Sequence, residues 1–277
     1  MDKGGDNSRT LPQTPRNGSE ATPLVIYAVV NQKGGVGKTT SAINIAACLA
    51  EAGNRVLLVD ADPQANATSG VLKGERPRPG TPGMADVLLD GASVADVRIP
   101  TVVPGMDLVP SSADLAGAAV ELVDRENRDG VMAKALAPVA AEYPYIFIDC
   151  PPSLDLVTVN ALLAADRLIV PVQCEYYALE GLSRLMETIG EVRARLNPRL
   201  RVSGILMTMH DPRTRLSGEV IAEVRRHFPS QVFDTVVPRN VRVTESPSFG
   251  EPVIRYDPHC AAADAYFEVA KEVASRG

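Results

Sequence analysis

Two lysines and two threonines stand among glycines in one short stretch whose residue types suit binding of a phosphate group. Glycines allow successive backbone N–H groups to point at a single anion. A lysine in such a loop can reach the outer phosphates of a nucleotide, and a hydroxyl beside it can ligate magnesium. The stretch therefore predicts a phosphate-binding loop, made of Lys33, Gly34, Gly35, Val36, Gly37, Lys38, Thr39 and Thr40.

The loop departs from the general G-x-x-x-x-G-K-[ST] pattern at its first position. Gln32 stands where glycine is expected, and a second lysine, Lys33, follows it. A glycine turn with two solvated lysines is the simpler interpretation. The flanking sequence disfavours it, because an apolar strand at 25–30 precedes the loop and a helical apolar pattern at 41–50 follows it. Strand, loop and helix N-terminus are the context that a phosphate site requires.

Three aspartates follow other predicted strands. Asp60 ends the apolar run at 55–60, and Asp62 comes two residues later. A carboxylate at the carboxyl end of a strand points into the crevice where open α/β sheets bind ligands, so one of these two can orient a water near the terminal phosphate. Either could instead cap the next turn. Asp149 ends the run at 145–149 and is typical of the second acidic strand that holds magnesium, usually through water.

Periodicity along the rest of the chain predicts alternating strands and helices. Strands are expected at 25–30, 55–60, 106–110, 145–149, 167–172, 202–209 and 232–237. Helices are expected at 41–50, 84–89, 112–125, 129–142, 156–165, 179–196, 216–227 and 261–274. This alternation predicts an α/β fold, a mostly parallel twisted sheet with helices on both faces. No linker divides residues 24–277, which we expect to form one domain. Residues 1–23 are polar and are expected to be disordered.

Composition narrows the class of protein. Hydrophobic residues make up 45% of the 277 residues, aromatic residues make up only 4% and tryptophan is absent, so we expect a core built from Val, Leu, Ile and Ala. No apolar run reaches the length of a membrane span and no secretory signal is recognisable, so we expect a cytoplasmic chain. The four cysteines are far apart in sequence, which favours buried thiols over a metal site or disulfides.

Charge is unevenly distributed. The net charge is −6, which argues against a protein that covers nucleic acid with its whole surface. Residues 190–256 nevertheless hold eleven arginines and seven acidic residues, a local charge of +4 that leaves −10 for the rest. A basic face within this region is therefore expected.

Five segments together resemble one family. They read KGGVGKTT at 33–40, DADPQAN at 60–66, IFIDCPPS at 146–153, MTMHDPRTR at 207–215 and VVPRNVRVTESPSFGEPVIRYDP at 236–258. In these segments the chain resembles the ParA/Soj partition ATPases, a branch of the deviant Walker A, P-loop NTPase family that also includes MinD. The resemblance runs from about residue 24 to the C-terminus.

The resemblance implies an ATPase that binds ATP and Mg²⁺ and forms a homodimer with the nucleotides at its interface. Lys33 is similar to the signature lysine that crosses to the phosphates of the partner subunit. Lys38 and Thr39 keep the ordinary roles of their loop positions. Asp62 resembles the residue that positions the attacking water, and Asp149 resembles the acid near magnesium.

The C-terminal third carries the remaining implied sites. Pro238 and Asn240 resemble the segment that lines the adenine. Arg213 and Arg242 resemble positions that contact DNA phosphates without reading sequence, and Arg215 is a further candidate. The resemblance also implies non-specific double-stranded DNA and a ParB-type activator as partners, association with the nucleoid, and a role in chromosome or plasmid segregation.

A MinD-like positioning ATPase, whose partner is a membrane, is the alternative function. It requires a basic amphipathic helix at the C-terminus. Residues 266–277 contain two acidic and two basic residues, which is typical of a docked surface helix. We therefore expect no membrane partner.

Overall fold

The computed structural model describes residues 24–74, 77–78, 80–125 and 128–276. The tail expected at 1–23 and part of the Pro/Gly-rich loop near residue 76 lie outside these residues. The strands are β1 Val25–Val29, β2 Val56–Asp60, β3 Ile99–Pro100, β4 Met106–Val109, β5 Tyr145–Asp149, β6 Arg167–Gln173 and β7 Arg201–Thr208.

Twelve α-helices lie among the described residues. They are α1 Lys38–Glu51, α2 Asn66–Ser69, α3 Met84–Leu89, α4 Val94–Val97, α5 Asp114–Glu121, α6 Val131–Leu136, α7 Leu156–Ala164, α8 Ala178–Arg195, α9 Arg215–His227, α10 Val241–Glu245, α11 Val253–Tyr256 and α12 Ala261–Arg276. Short 3-10 turns occupy Leu122–Asp124, Ala137–Glu142 and Ser246–Phe249.

The seven strands form one sheet in the order β3-β4-β2-β5-β1-β6-β7. Every neighbouring pair is parallel except β3 with β4 at the edge. The predicted α/β fold with a mostly parallel sheet is therefore confirmed. Because β2, β5, β1 and β6 are adjacent, the segments that follow these four strands emerge side by side at one edge of the sheet.

Buried side chains divide into two cores, one on each face of the sheet. In β1, Ile26 and Ala28 point to a face covered by α3 and α5 to α9. Tyr27 and Val29 point to the other face, which α1, α11 and α12 cover. Tyr27 stacks on Phe147 of β5 with ring centroids 5.0 Å apart. Helices on both faces, as the alternating sequence predicts, leave the strand ends as the place for a site.

One predicted strand, 232–237, is wrong. The segment runs beside β7, where Phe233 N donates to the Ile205 carbonyl at 3.0 Å. The next two N–H groups, of Asp234 and Thr235, donate instead to the carboxylate of Glu272 on α12, each at 2.8 Å. Ladder pairing is interrupted there, because these N–H groups are already used, and it resumes only where Val237 N donates to the Met207 carbonyl at 2.9 Å.

Two predicted helices end early, and five short elements were not predicted. The helix expected at 112–125 is α5 followed by a 3-10 turn, and the helix expected at 129–142 changes to a 3-10 turn at 137. Pro138 lacks an N–H group and cannot continue the α-helical pattern. The short elements α2, α4, β3, α10 and α11 carry too few residues to show a period.

Candidate functional site

The phosphate loop follows β1 and ends at the N-terminus of α1. Gly35 and Gly37 have φ angles of 74° and 88°, in the left-handed region that favours glycine. Gly37 is the residue before α1, and no side chain caps this helix end. The first N–H groups of a 14-residue helix therefore face the loop without a side-chain acceptor, which is an arrangement suited to an anion.

Lys38 is buried within this loop and is 6% exposed. Its Nζ donates to the backbone carbonyl of Lys33 at 3.1 Å. Burial lowers the pKa of its ammonium, whereas the nearby carboxylates of Asp149 and Asp62 act in the opposite direction. A buried cation beside two carboxylates is available for the charge of a bound phosphate.

Asp60 and Asp149 lie next to each other, since they are paired in register at the ends of β2 and β5. Both side chains are fully buried. Asp60 accepts hydrogen bonds from the N–H and hydroxyl of Thr68, both at 2.7 Å, and from the N–H of Asp62 at 3.1 Å. Asp60 therefore holds the backbone on either side of Asp62 with both of its oxygens.

Burial raises the pKa of Asp60 to about 6 despite its three hydrogen bonds. Asp62 follows it with 6% exposure, and its Oδ1 accepts the N–H of Gln64 at 2.9 Å. The Asp62 carboxylate is close enough to Lys38 to act on its charge. The predicted water-positioning residue thus lies beside the phosphate loop.

Asp149 is different from Asp60, because neither of its oxygens has a hydrogen-bond partner among the described residues. Burial, followed by the neighbouring charge of Asp60, raises its pKa well above the ordinary value. Thr39 and Lys38 act in the opposite direction, although neither makes a hydrogen bond of normal geometry to it. Buried carboxylate oxygens without partners are a chemical fit to a cation.

Magnesium suits this arrangement better than a metal held by protein alone. Among the described residues, no group of three or more His, Cys, Asp or Glu side chains could hold a metal ion. Magnesium commonly takes one carboxylate, substrate phosphates and waters. Asp149 and the Thr39 hydroxyl are the two protein groups that could contribute, directly or through water, beside a phosphate bound at the loop.

A cavity lies between the phosphate loop and the C-terminal third of the chain. Gly37 and Thr40 line it together with Pro238, Asn240 and Tyr266. The Asn240 side chain caps α10 by accepting the N–H of Arg242 at 2.9 Å. The structure thus brings the two predicted adenine-lining residues to the phosphate loop, from about 200 residues away in sequence.

Lys33, the additional lysine of the loop, lies on the surface rather than in the crevice. Its Nζ is 2.7 Å from Oε2 of Glu175, and both side chains are about half exposed. Sequence reasoning did not identify Glu175. Its position two residues after β6, at the same edge of the sheet as Asp62 and Asp149, was the available signal.

The three arginines predicted to contact DNA are exposed, and each is paired with an acid. Arg213 forms a fork with Asp211, at 2.9 and 2.7 Å. Arg215 pairs with Glu219 at 2.7 Å. These pairs lie in the loop after β7 and the first turn of α9.

Arg242 pairs with Glu245 at 2.9 Å and with Asp257 at 3.2 Å. Its segment contacts the loop after β7, because Arg239 N donates to the His210 carbonyl at 2.8 Å. Arg213 and Arg242 therefore stand on adjoining segments next to the cavity lined by Pro238 and Asn240.

Comparison with known proteins shows which proteins this chain is similar to. A family model described as an AAA domain matches residues 24–202. Chromosome partitioning protein ParA of Caulobacter vibrioides (strain NA1000 / CB15N) is 51% identical over 258 residues, covering 92% of this chain and 96% of that protein. Sporulation initiation inhibitor protein Soj of Bacillus subtilis (strain 168) is also 51% identical, covering 91% and 99%.

Two solved structures are similar as well. Cobyrinic acid a,c-diamide synthase from Mycobacterium smegmatis, with bound ADP and magnesium, has a TM-score of 0.73 and 37% identity over 82% of this chain and 92% of that one. A putative plasmid partition protein from Borrelia burgdorferi B31, bound to AMPPNP, has a TM-score of 0.75 and 26% identity over 90% and 98%. Within the described residues, no helix has the length and hydropathy to span a bilayer.

Proposed function

The chain belongs to the ParA/Soj family of chromosome partitioning ATPases, and from that membership we propose a nucleotide-driven cycle. In this cycle the chain binds ATP with Mg²⁺, forms a homodimer, holds DNA without sequence preference and releases it after hydrolysis. A ParB-type protein activates the hydrolysis step. The proposed setting is the cytoplasm, on the nucleoid.

The observation that carries this proposal is the grouping of Lys38, Asp62 and Asp149 at the N-terminus of α1. Lys38 and Thr39 begin α1, Asp149 ends β5 between β1 and β2, and the charges of Asp149 and Asp62 both act on Lys38. A cation, a hydroxyl and two carboxylates at an uncapped helix end are the groups that phosphoryl transfer requires.

Each group has a separate proposed task. Lys38 and the loop glycines hold the phosphates, and Thr39 and Asp149 hold magnesium, the latter through water. Magnesium supplies charge neutralisation on the phosphate oxygens. Asp62 orients the attacking water, and its place is fixed by the hydrogen bond from its own N–H to Asp60. Pro238 and Asn240 line the adenine. The M. smegmatis structure with ADP and magnesium supports these ligands.

Lys33 supplies the step that requires two subunits. Its ammonium lies outside the crevice of its own subunit and is half exposed. We propose that it contacts the phosphates bound to a second copy of the chain. A lysine placed against the transferred phosphoryl group in a closed interface stabilises the charge that develops there.

The DNA step is proposed for the arginines at 213, 215 and 242. Each is exposed, and each pairs with an acid at the surface. Exposed ion pairs contribute at most about 1 kcal/mol, so a DNA phosphate can compete with these carboxylates. Contacts of this kind give affinity that falls steeply with salt and does not depend on sequence.

Two variants test the ATPase cycle. With Mg-ATP, the Asp62→Ala variant should bind nucleotide and dimerise but lose phosphate release by about 10²-fold or more, because the water is no longer oriented.

The Lys33→Ala variant should bind ATP and remain a monomer in light scattering. Asp90→Ala, an exposed aspartate at the end of α3, is the control. Normal turnover in Asp62→Ala, or an ATP-dependent dimer of Lys33→Ala, would refute the assigned roles.

A further inference from the structure

The ion pair between Lys33 and Glu175 is the contact on which this inference rests. We infer that Glu175 is a positioning residue that holds Lys33 on the surface of the free subunit and releases it when a second copy docks. This inference rests on the proposed bridging role of Lys33. It adds a residue, Glu175, that sets how readily the dimer forms.

Glu175 is itself held in place by Gln173, the last residue of β6. Its N–H donates to the Gln173 carbonyl at 2.8 Å, and its Oε1 accepts a hydrogen bond from the Gln173 side chain. Its other oxygen accepts from Lys33 at 2.7 Å. The carboxylate is therefore oriented by the end of β6 before the lysine reaches it.

The lysine backbone is fixed in the same way. Lys33 N donates to Oδ1 of Asn31 at 3.0 Å, and Nδ2 of Asn31 donates to the Pro171 carbonyl of β6 at 2.7 Å. The two partners thus stand on segments tied to neighbouring strands, β1 and β6. Separation of the ion pair requires only rotation of two half-exposed side chains, with no backbone movement.

Nucleotide binding acts on the same residue through its carbonyl group. Lys38 Nζ donates to the Lys33 carbonyl in the structure. A phosphate at the loop competes for this buried ammonium, since a phosphate is charged and a backbone carbonyl is not. The carbonyl of Lys33 then loses its donor at the same time as its side chain is offered a phosphate on the partner subunit. Phosphates carry more charge than a single carboxylate, so the exchange favours the dimer.

The surface beside Glu175 has the character of an interface that a second copy covers. Tyr176 and Tyr177 follow it and are 75% and 71% exposed, more than any other aromatic side chain among the described residues. Their rings meet edge to face with centroids 5.2 Å apart. Exposed tyrosines are enriched in protein interfaces, and these two adjoin the lysine that must enter the partner's site.

Substitution of Glu175 by glutamine tests the inference. Glutamine keeps the size of the side chain and removes its charge. An exposed ion pair of this kind changes an equilibrium constant by about two- to fivefold. Each dimer breaks two such pairs, one in each subunit, so in sedimentation velocity with AMPPNP and magnesium Glu175→Gln should lower the dimer dissociation constant by about 4- to 25-fold. Glu180→Gln, which removes an exposed pair with Arg184 on α8, is the matched control and should leave the constant unchanged.

A second measurement needs no dimer. In nucleotide-free protein, acetylation of Lys33 by an amine-reactive ester, followed by peptide mass spectrometry, should be faster in Glu175→Gln than in the wild-type chain. Lys134 on α6, which is exposed and has no ion pair among the described residues, serves as the internal reference. Unchanged labelling overturns the inference. So does a dimer that is unchanged or weakened in the variant. Failure of the wild-type chain to dimerise contradicts the proposed function instead, and labelling still decides the role of Glu175.

Discussion

The surroundings of the Asp149 side chain disfavour the charged form of its carboxyl group. It is fully buried, has no hydrogen-bond partner among the described residues, and lies in register with the buried Asp60. A lone carboxylate in this position is costly to ionise. In a magnesium site the same feature becomes useful, because the metal and its waters satisfy oxygens that the protein leaves unpaired.

The cost of ionising Asp149 predicts how the free energy of unfolding depends on pH. Burial raises the pKa of Asp149 above its ordinary value of 3.8. At any pH between 3.8 and the raised pKa, the folded chain therefore binds more protons than the unfolded chain. Stability of the wild-type chain therefore falls as pH rises through this window. Without nucleotide and magnesium, Asp149→Asn should be more stable than wild type at pH 7 by about 1–3 kcal/mol. The gap should narrow as pH is lowered toward 4.

Urea unfolding at several pH values between 4 and 8 measures this gap. A variant that is less stable than the wild-type chain at every pH, or a gap that does not change with pH, would contradict the electrostatic account of Asp149.

Residue types in sequence predicted a glycine-rich loop between β1 and α1 and acids at the ends of β2 and β5, because apolar runs and the residues that end them are local signals. They could not separate Asp60 from Asp62. That distinction depends on Thr68, which donates to Asp60 and belongs to a four-residue helix with no recognisable period. Glu175 was missed for a similar reason, because its partner Lys33 is 142 residues away.

At the scale of elements, the contact between β7 and the segment after α9 brings Pro238 and Asn240 to the loop between β1 and α1. Phe233 packs on Gly204 of β7, and a Cβ added to that glycine would lie 2.3 Å from the ring. The ring is fully buried. Apolar residues at 232–237 suggest a strand in sequence, but Glu272 takes the N–H groups of Asp234 and Thr235, and no local pattern reveals this distant acceptor.

Gly204→Ala should destabilise the chain by about 1–3 kcal/mol, because the new methyl group overlaps a ring that has nowhere to move. The free energy of unfolding in urea measures this. Gly190→Ala in α8 is the control, since nothing lies within 4 Å of its Cβ position. It should be neutral or stabilise by up to about 1 kcal/mol. Equal effects of the two substitutions would show that Gly204 is not needed for close packing.

The loop after β7 gives a second prediction at this scale. Asp211 holds both ends of the Arg213 guanidinium, and this contact lowers the pKa of the carboxyl group. Asp211→Asn should release Arg213 and remove one negative charge from the surface. We expect DNA affinity in the ATP state to rise by about two- to fivefold. The slope of log affinity against log salt concentration should steepen by the amount that about one added phosphate contact gives.

Fluorescence anisotropy of labelled double-stranded DNA, titrated at several salt concentrations, measures both quantities. Glu268→Gln on α12, which removes an exposed pair with Lys271, controls for the change in net charge. If Asp211→Asn bound DNA no better than this control, Arg213 would not belong to the DNA surface.

At the scale of the whole molecule, the chain combines a net charge of −6 with a local charge of +4 over residues 190–256. The structure places the loop after β7 against the segment that leads to α10, so two of the predicted DNA arginines share one region of the surface. The sequence shows the excess of arginine in this region but not that these arginines are paired with acids in the free subunit. Arg215 and Arg242 reach Glu219 and Glu245 because each pair lies three or four residues apart on a helix.

The central claim is that ATP turns this chain into a DNA-binding dimer. The most direct measurement is retention of purified protein on immobilised non-specific double-stranded DNA with ATP, ADP or no nucleotide, at two salt concentrations, with anionic vesicles in parallel. We expect retention with ATP alone, lost at the higher salt, and no vesicle binding. Retention that ignores nucleotide, or ATP-dependent binding to vesicles without DNA binding, would rule out the proposed DNA-binding dimer.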